Sequence, residues 1–202
     1  MNDILSTSSS VKIAPTQYPV IEPIKARWSA RSFEPRPIAE DDLMALFEAA
    51  AWAPSSVNEQ PWRFAYAHRG ESAFSQFASC LSGGNLAWAG GAAVLVAVVA
   101  KSRMSANDHL NMYALHDTGM ATANLFIQAT AMGIQGHIMG GFDRAKARAL
   151  FNIPEGYEPV TFLALGYPGD PDALEEPFHT RELTPRTRRS LDQTAFHGQF
   201  EW

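Results

Sequence analysis

The feature that most constrains the fold is an uninterrupted apolar run at residues 92–100, Ala-Ala-Val-Leu-Val-Ala-Val-Val-Ala. Four of its nine residues are valines, and β-branched side chains favour strands over helices. The run is also about half of the ~20 apolar residues that a helix needs to cross a bilayer. We therefore predict a buried inner strand at these positions and no membrane anchor.

Two helices flank this strand in the chain. The first is predicted from about residue 40, where three acidic residues complement the helix dipole, to Pro54, which ends it. Its apolar residues recur at helical spacing: Leu43, Leu46, Phe47 and Ala50. The second is predicted from about residue 108 to 132, with Gly133 as its terminator. Because small and apolar residues leave it almost no polar face, we expect it to be buried nearly all round.

The remaining segments alternate between extended and helical patterns. Strands are predicted at residues 62–67, 134–139 and 160–165, and helices at residues 71–81 and from about Asp143. The chain has no internal repeat, and no linker divides its 202 residues. With 46% apolar and 18% charged residues, it has ample material for one packed core. We predict a single α+β sandwich.

Both ends of the chain lack a pattern that would bury a face. Residues 1–16 are rich in serine and are expected to form a loose, disordered tail ahead of one domain at residues 17–202. Residues 170–202 are proline-rich and then strongly basic. Since this last segment makes no compact element on its own, we expect an extended arm that wraps a neighbouring subunit.

The overall charge and the cysteine content exclude several classes of protein. A formal net charge of -5 disfavours a nucleic-acid-binding surface, which is usually basic. The single Cys80 cannot form an intrachain disulfide, and the start of the chain lacks a secretory pattern, so a cytoplasmic location is expected. The chain has no P-loop and no Gly-x-Gly-x-x-Gly motif. Four residues could suggest a metal, but their spacing matches no zinc motif: His109, His116, Asp117 and His137.

A first candidate binding motif is Arg-Trp-Ser-Ala-Arg at residues 27–31. In an extended segment alternate residues face the same way, so Arg27, Ser29 and Arg31 would form one row. Guanidinium groups match phosphate oxygens in a way that an ammonium does not. The alternative interpretation is a solvated basic turn that caps a helix.

A second candidate is the loop Ala-Pro-Ser-Ser-Val-Asn-Glu-Gln-Pro-Trp at residues 53–62. It follows a predicted helix end and offers hydroxyl, amide and main-chain N–H groups to a polar ligand. Pro54 and Pro61 restrict its conformations. An ordinary helix-to-strand connection with a capping serine explains the same composition.

Taken together and in this order, these motifs resemble the amino-terminal signature of the nitroreductase family. The resemblance continues through Gly-Asn-Leu-Ala-Trp at 84–88, Ala-Asn-Leu at 123–125, Gly-Gly-Phe-Asp at 140–143 and Leu-Gly-Tyr-Pro at 165–168. It covers nearly the whole chain after the tail. It implies a three-layer α+β sandwich, in which helices flank a mixed, mostly antiparallel sheet, and an intertwined homodimer with FMN at the subunit interface.

The resemblance also implies which residues would contact the flavin. Arg27, Ser29 and Arg31 would hold the phosphate and the pyrimidine edge, with Trp28 in the same segment, and Arg186 and Arg188 would complete the phosphate clamp. Asn85 would face the polar edge of the ring. The second subunit would supply five residues of the loop: Pro54, Ser55, Ser56, Asn58 and Gln60.

The strand end at residues 138–141 would lie against the reactive N5 side of the flavin. Ile138, Met139, Gly140 and Gly141 form this stretch, and glycine lets a main chain approach a ring closely. The sequence departs from some relatives, which carry a glutamate where Gly140 stands.

The implied activity is FMN-dependent oxidation of NAD(P)H with ping-pong transfer of electrons to a nitroaromatic, quinone or enone-like acceptor. No general acid, general base, metal, nucleic acid or membrane is required. Two alternatives keep the fold: a flavin-fragmenting or reductively dehalogenating enzyme, and a module that binds flavin without turnover.

Overall fold

A computed structural model describes residues 7–200, whose four strands form one sheet. The strands are β1 (Trp62–His68), β2 (Val94–Lys101), β3 (Gln135–Met139) and β4 (Tyr157–Gly166), in the spatial order β1-β2-β4-β3. All three strand pairs are antiparallel. The α+β class and the mostly antiparallel sheet are confirmed, although the mixed sheet that was expected has no parallel pair among the described residues.

Eight α-helices surround this sheet within the described part of the chain. They are α1 (Thr7–Val11), α2 (Glu22–Ala26), α3 (Glu40–Ala51), α4 (Ser72–Ala78), α5 (Gly83–Ala89), α6 (Ala114–Ala131), α7 (Arg144–Leu150) and α8 (Phe178–Leu183). Short 3-10 turns occur at Ser56–Asn58, Pro171–Ala173 and Leu191–Gln193. None of the helices in residues 7–200 combines the length and the hydropathy that a bilayer crossing needs.

The apolar run forms the centre of the sheet, as its composition predicts. Alternate residues of β2 point to opposite faces. Val94, Val96 and Val98 pack in one core with side chains of α3 and α6. Leu95 and Ala97 pack in a second core with α4, α5 and α7. Two separate cores on one strand require a helical layer on each face, which gives the three-layer sandwich.

The longest helix begins later than the sequence pattern predicts. α6 begins at Ala114, about one and a half turns after the predicted start near residue 108. Asp108 has a φ of 58°, and Arg103 pairs with Leu110 in an isolated bridge, so the preceding residues form a tight turn. Apolar residues in this turn continued the helical pattern without being helical.

The short helices were the least predictable elements. α4 ends at Ala78 rather than near residue 81, and both α2 and α5 were missed. Each has five to seven residues, too few for a helical period to show.

The expected tail at residues 1–16 lies partly outside the described residues, which begin at residue 7. From there the structure differs from a loose tail, because Thr7–Val11 forms α1 and Ser8 is buried. α1 packs against α8 near the other end of the chain. The tail is ordered here because it has a partner that is distant in sequence.

The predicted carboxy-terminal arm divides into two parts. Its first part docks on its own chain, since α8 buries Glu182 and the Ser32 hydroxyl donates to the Asp170 carbonyl. Residues 184–200 are mostly exposed. Wrapping of a neighbouring subunit remains a prediction for this second part.

Candidate functional site

The segment at residues 27–31 alternates between buried and partly exposed side chains. It leaves α2 in an extended conformation at Arg27. Trp28 is 3% exposed and Ala30 is fully buried, whereas Arg27, Ser29 and Arg31 are half-buried. The predicted row of two guanidinium groups and one hydroxyl therefore exists. The Trp28 side chain belongs to the core and its main-chain N–H donates to Gln135, so its contact with a cofactor stays a prediction that its main-chain carbonyl would have to fulfil.

Arg186 and Arg188, which are distant from Arg27 in the sequence, lie close to it in the structure. Burial lowers the pKa of Arg27, and the positive charges of Arg186 and Arg188 lower it further. The pKa of Arg186 is lowered in the same way, first by burial and then by Arg188. Within residues 7–200, no carboxylate forms an ion pair with any of the three. Such a cluster is adapted to bind an anion.

A cleft of about 530 Å³ adjoins the cluster. Its walls are the segment before α2, at residues 14–18 and Val20, and the arm at residues 186–191. The arginines that line the cleft are Arg186, Arg188 and Arg189, and its lining includes no acidic residue. The cleft is thus positive in a chain whose net charge is negative.

Arg186 belongs to the arginine cluster and also joins the arm to the amino-terminal segment by hydrogen bonds. Its Nη1 donates to the main-chain carbonyls of Lys12 at 3.1 Å and Lys25 at 2.8 Å. These bonds fix one end of the guanidinium fork. The predicted phosphate contact is therefore left to its other nitrogens. Arg188 Nη1 donates to the carbonyl of Thr187 at 2.7 Å.

Glu182 of α8, which the sequence analysis missed, holds the arginine segment in place. Its carboxylate is 1% exposed and accepts from Trp28 Nε1 at 2.8 Å and from the Arg31 main-chain N–H at 3.1 Å. Burial raises the pKa of this carboxyl, and the two bonds oppose that rise. The available sequence signal was a single acidic residue within the basic stretch 179–189.

Two polar residues of β3 hold the same segment from the other side. Gln135 donates to the Ala26 carbonyl at 3.2 Å and accepts from the Trp28 main-chain N–H at 3.3 Å. Two positions further along the strand, His137 faces the same way, as strand alternation requires. Its Nδ1 lies 3.1 Å from the Ser29 carbonyl and 3.2 Å from that of Ala30.

The imidazole of His137 is neutral in this setting. Burial lowers its pKa to about 4, and the charge of Arg31 adds to this effect. Since Nδ1 faces two carbonyl oxygens, it carries the proton and donates. The ring also packs against Trp88, with 4.5 Å between centroids. The histidine therefore positions the segment.

His137 should make the apoprotein sensitive to acid. The folded pKa of about 4 lies below the ordinary 6.5, so its contribution to stability is complete above pH 6.5 and is lost as the pH falls toward 4. His137→Gln keeps a donor but does not titrate. Between about pH 7 and about pH 5, we expect the wild type to lose roughly 2 kcal/mol relative to this variant. Urea unfolding at both pH values measures the difference, and equal losses in the two proteins would contradict it.

The end of β3 presents main chain rather than side chains. Ile138 is 44% exposed, but Met139 is 1% exposed and belongs to the second core. The Met139 side chain points into this core, and the contact of Met139 with the flavin stays a prediction for its main chain. A Cβ at Gly140 would meet open space, whereas one at Gly141 would lie 2.8 Å from Ser82 Oγ. The main chain is thus open to an approaching ring at Gly140.

The side chain of Asn85 is hydrogen-bonded to the main chain just after the end of β3. Its Nδ2 donates to the Gly141 carbonyl at 2.9 Å, and the Ser82 N–H donates to the same oxygen at 3.0 Å. The side-chain oxygen of Asn85 remains as the group that can meet a ligand. The structure therefore brings Asn85, Ser82 and Gly141 together, and the predicted contact of Asn85 with the ring stays a prediction.

The loop after α3 is held in a strained conformation. Val57, Asn58 and Gln60 have φ values of 45°, 58° and 48°, a region that β-branched valine in particular avoids. The buried Asp117 of α6 accepts from the Ser56 N–H at 2.9 Å, and the Ser55 hydroxyl accepts from the Gln60 N–H at 3.0 Å. Strain held by a surrounding network is common at binding sites.

This loop and the arginine row do not meet within the described chain. In residues 7–200, no hydrogen bond, ion pair or ring contact joins the predicted loop residues Pro54, Ser55, Ser56, Asn58 and Gln60 to residues 27–31 or 135–141. Their contribution to a shared site remains a prediction that requires a second copy of the chain. Within residues 7–200, no group of three or more His, Cys, Asp or Glu side chains is arranged so that it could hold a metal ion.

Comparison with known proteins connects this geometry to one family. The model of the nitroreductase family matches residues 24–81 and 78–167. A protein of Archaeoglobus fulgidus with the provisional name NADH dehydrogenase/NAD(P)H nitroreductase is 30% identical over 155 residues, which are 73% of this chain and 84% of that protein. An uncharacterised 15.4 kDa protein of Mycolicibacterium smegmatis is 35% identical over 130 residues, which are 64% and 86% of the two chains.

A solved structure described as an oxidoreductase containing FMN is also similar to this one. It superimposes with a TM-score of 0.88 at 33% sequence identity. The match covers 92% of this chain and 95% of that chain, so it extends beyond the region of the family model.

Proposed function

The chain belongs to the nitroreductase family, and from this premise we propose that it binds FMN and uses NAD(P)H to reduce a small organic acceptor. The observation that carries the proposal is the unpaired cluster of Arg27, Arg186 and Arg188. A phosphate monoester has a charge of about -1.5 to -2 at neutral pH. Guanidinium forks bind its oxygens with charge-assisted hydrogen bonds. The mutual repulsion of the three arginines would be relieved by this ligand.

The residues around the cluster fit the rest of an FMN molecule. Ser29 and Arg31 lie on the same row as Arg27 and offer donors to the polar part of the ring. At the other end of the site, the open main chain of Gly140 allows a flat ring to approach. The neutral His137 and the buried Glu182 fix the row without adding a negative charge that faces the phosphate.

The chemistry would come from the cofactor, while the chain orients it. FMN, when bound, supplies a ring that accepts hydride from a nicotinamide and gives electrons to an acceptor. The protein's part is to hold the phosphate with Arg27, keep the main chain at Gly140 close to the ring, and leave one face of the ring open. No side chain at Gly140 or Gly141 can titrate, so no proton-transferring residue is assigned.

The finer details of this proposal follow from the motifs that the chain has and lacks. Because it has no dinucleotide-binding motif, donor and acceptor would use the same open face in turn, which is a ping-pong mechanism. A nitroaromatic, a quinone or an enone-like compound fits as the acceptor. The strained loop at residues 54–60 would complete the site from the second subunit of a homodimer.

The proposal is tested with freshly purified protein in an anaerobic cuvette. We expect a yellow protein whose visible absorbance bleaches on addition of NADH or NADPH and returns when a quinone is added. Parallel lines in double-reciprocal plots would support alternation of the two substrates. A yellow protein that neither nicotinamide bleaches would contradict the reductase function. A colourless protein that takes up no added FMN would contradict the whole proposal.

A further inference from the structure

The end of α8 is closed by a lysine from the opposite end of the chain. The last carbonyls of a helix have no partner within it and carry partial negative charge. Lys12 Nζ donates to the Arg181 carbonyl at 2.8 Å and also to the carbonyl of Thr184. The residue is only 7% exposed, and lysine is rarely buried without such partners.

The main chain of the same residue holds the arm a second time. The Lys12 carbonyl accepts from Arg186 Nη1, which also donates to the Lys25 carbonyl. Lys12 thus contacts the arm on both sides of Pro185, with its ammonium before the proline and its carbonyl after it. The segment held between these contacts leads directly to Arg186 and Arg188.

This arrangement concentrates positive charge at one place in the apoprotein. Burial lowers the pKa of Lys12, and the charges of Arg31 and Arg186 lower it further, while Glu182 opposes the shift. A neutral side chain could have filled the same space without this cost. A charged donor would be useful here if it held the arm in one geometry that binds an anion.

Lys12 and the arm also lie outside the residues that the family model matches, 24–81 and 78–167. We propose that Lys12 is a positioning residue for the FMN phosphate, which holds the arm so that Arg186 and Arg188 stand beside Arg27. This inference rests on the proposed function. It assigns to the segment before α2 a part in cofactor binding, although none of its side chains needs to touch the cofactor.

The test compares FMN with riboflavin, which lacks the phosphate, in a Lys12→Met variant. If Lys12 acts through the phosphate clamp, the dissociation constant of FMN rises roughly 10- to 100-fold. The dissociation constant of riboflavin should stay within about twofold of the wild-type value. Riboflavin has no phosphate, so a displaced phosphate clamp costs it no hydrogen bond. Quenching of flavin fluorescence measures both constants below the melting temperature of the apoprotein.

Lys25→Met is the matched control. Its carbonyl also accepts from Arg186 and is kept in the variant, whereas its side chain pairs with Glu22 at the surface. We expect its preference for FMN over riboflavin to equal that of the wild type. If Lys12→Met does not fold, Lys12→Gln replaces it, since the amide can donate one of the two bonds and should give an intermediate preference.

Equal weakening of FMN and riboflavin in Lys12→Met would show a merely structural role and overturn the inference. An unchanged preference for FMN would overturn it as well, while leaving the proposed function intact. A wild-type protein that binds neither flavin would instead refute the proposed function, and the inference would fall with it.

Discussion

Replacement of Arg27 by methionine is expected to raise the dissociation constant of FMN by at least about 100-fold, so that the protein is purified colourless. The loss of two charge-assisted hydrogen bonds to a phosphate accounts for a factor of roughly this size. Methionine keeps an unbranched stem of similar length, so packing around Trp28 and Ala30 is retained. Titration of the apoprotein with FMN, followed by fluorescence, gives the constant directly.

The apoprotein of the same variant should be no less stable than the wild type. Arg27 is half-buried next to Arg186 and Arg188, and its pKa is lowered first by burial and then by these like charges. Removal of the Arg27 charge relieves this repulsion, and it also removes a side chain that would bind the phosphate. Binding sites commonly gain function in this way at a cost in stability. Arg69→Met is the control, because Arg69 donates to the Gly91 carbonyl and lies outside the cluster. Wild-type affinity in Arg27→Met, or an equal loss in Arg69→Met, would contradict the assignment.

Replacement of Glu182 by leucine is expected to lower the free energy of unfolding by about 3 to 5 kcal/mol. Trp28 Nε1 and the Arg31 N–H would both lose their acceptor in a buried place, and each unsatisfied donor costs about 1 to 3 kcal/mol. Lys12 would also lose the negative charge of Glu182, which favours its ionised form. Urea unfolding of the apoprotein measures the change.

Two further variants separate the causes of this loss. Glu182→Gln keeps the shape and one acceptor, so it should fall between leucine and the wild type. Glu176→Gln is the control, since Glu176 is an exposed acid that precedes α8 and bonds to Thr180 and His179. Its variant should change the stability by less than about 0.5 kcal/mol. A loss below 1 kcal/mol in Glu182→Leu would mean that α8 does not hold the arginine segment.

The sequence determined the parts of this protein that depend on local pattern. The valine-rich run predicted a buried inner strand, and the resemblance to the nitroreductase family supplied the layers of helices on each side of it. The Arg-Trp-Ser-Ala-Arg segment likewise specified by alternation which side chains face outward. Trp28, the second residue of the segment, faces the core as this alternation requires, and its contact with the cofactor stays a prediction.

Other features could be decided only by contacts between distant residues. The turn before α6 has apolar residues that continue a helical period, and only the backbone conformation at Asp108 and the pairing of Arg103 with Leu110 show that it is not helical. α1 is ordered because α8 lies against it, and no pattern in the first residues contains that information.

The candidate site divides in the same way. The residue pattern supplied the row of Arg27, Ser29 and Arg31, and the family resemblance supplied Arg186, Arg188 and the two glycines. Tertiary structure alone decided that Lys12, Glu182 and His137 hold the arginines in place. A buried charge or imidazole is stable only where specific partners meet it, and those partners come from segments as much as 174 residues apart in the chain.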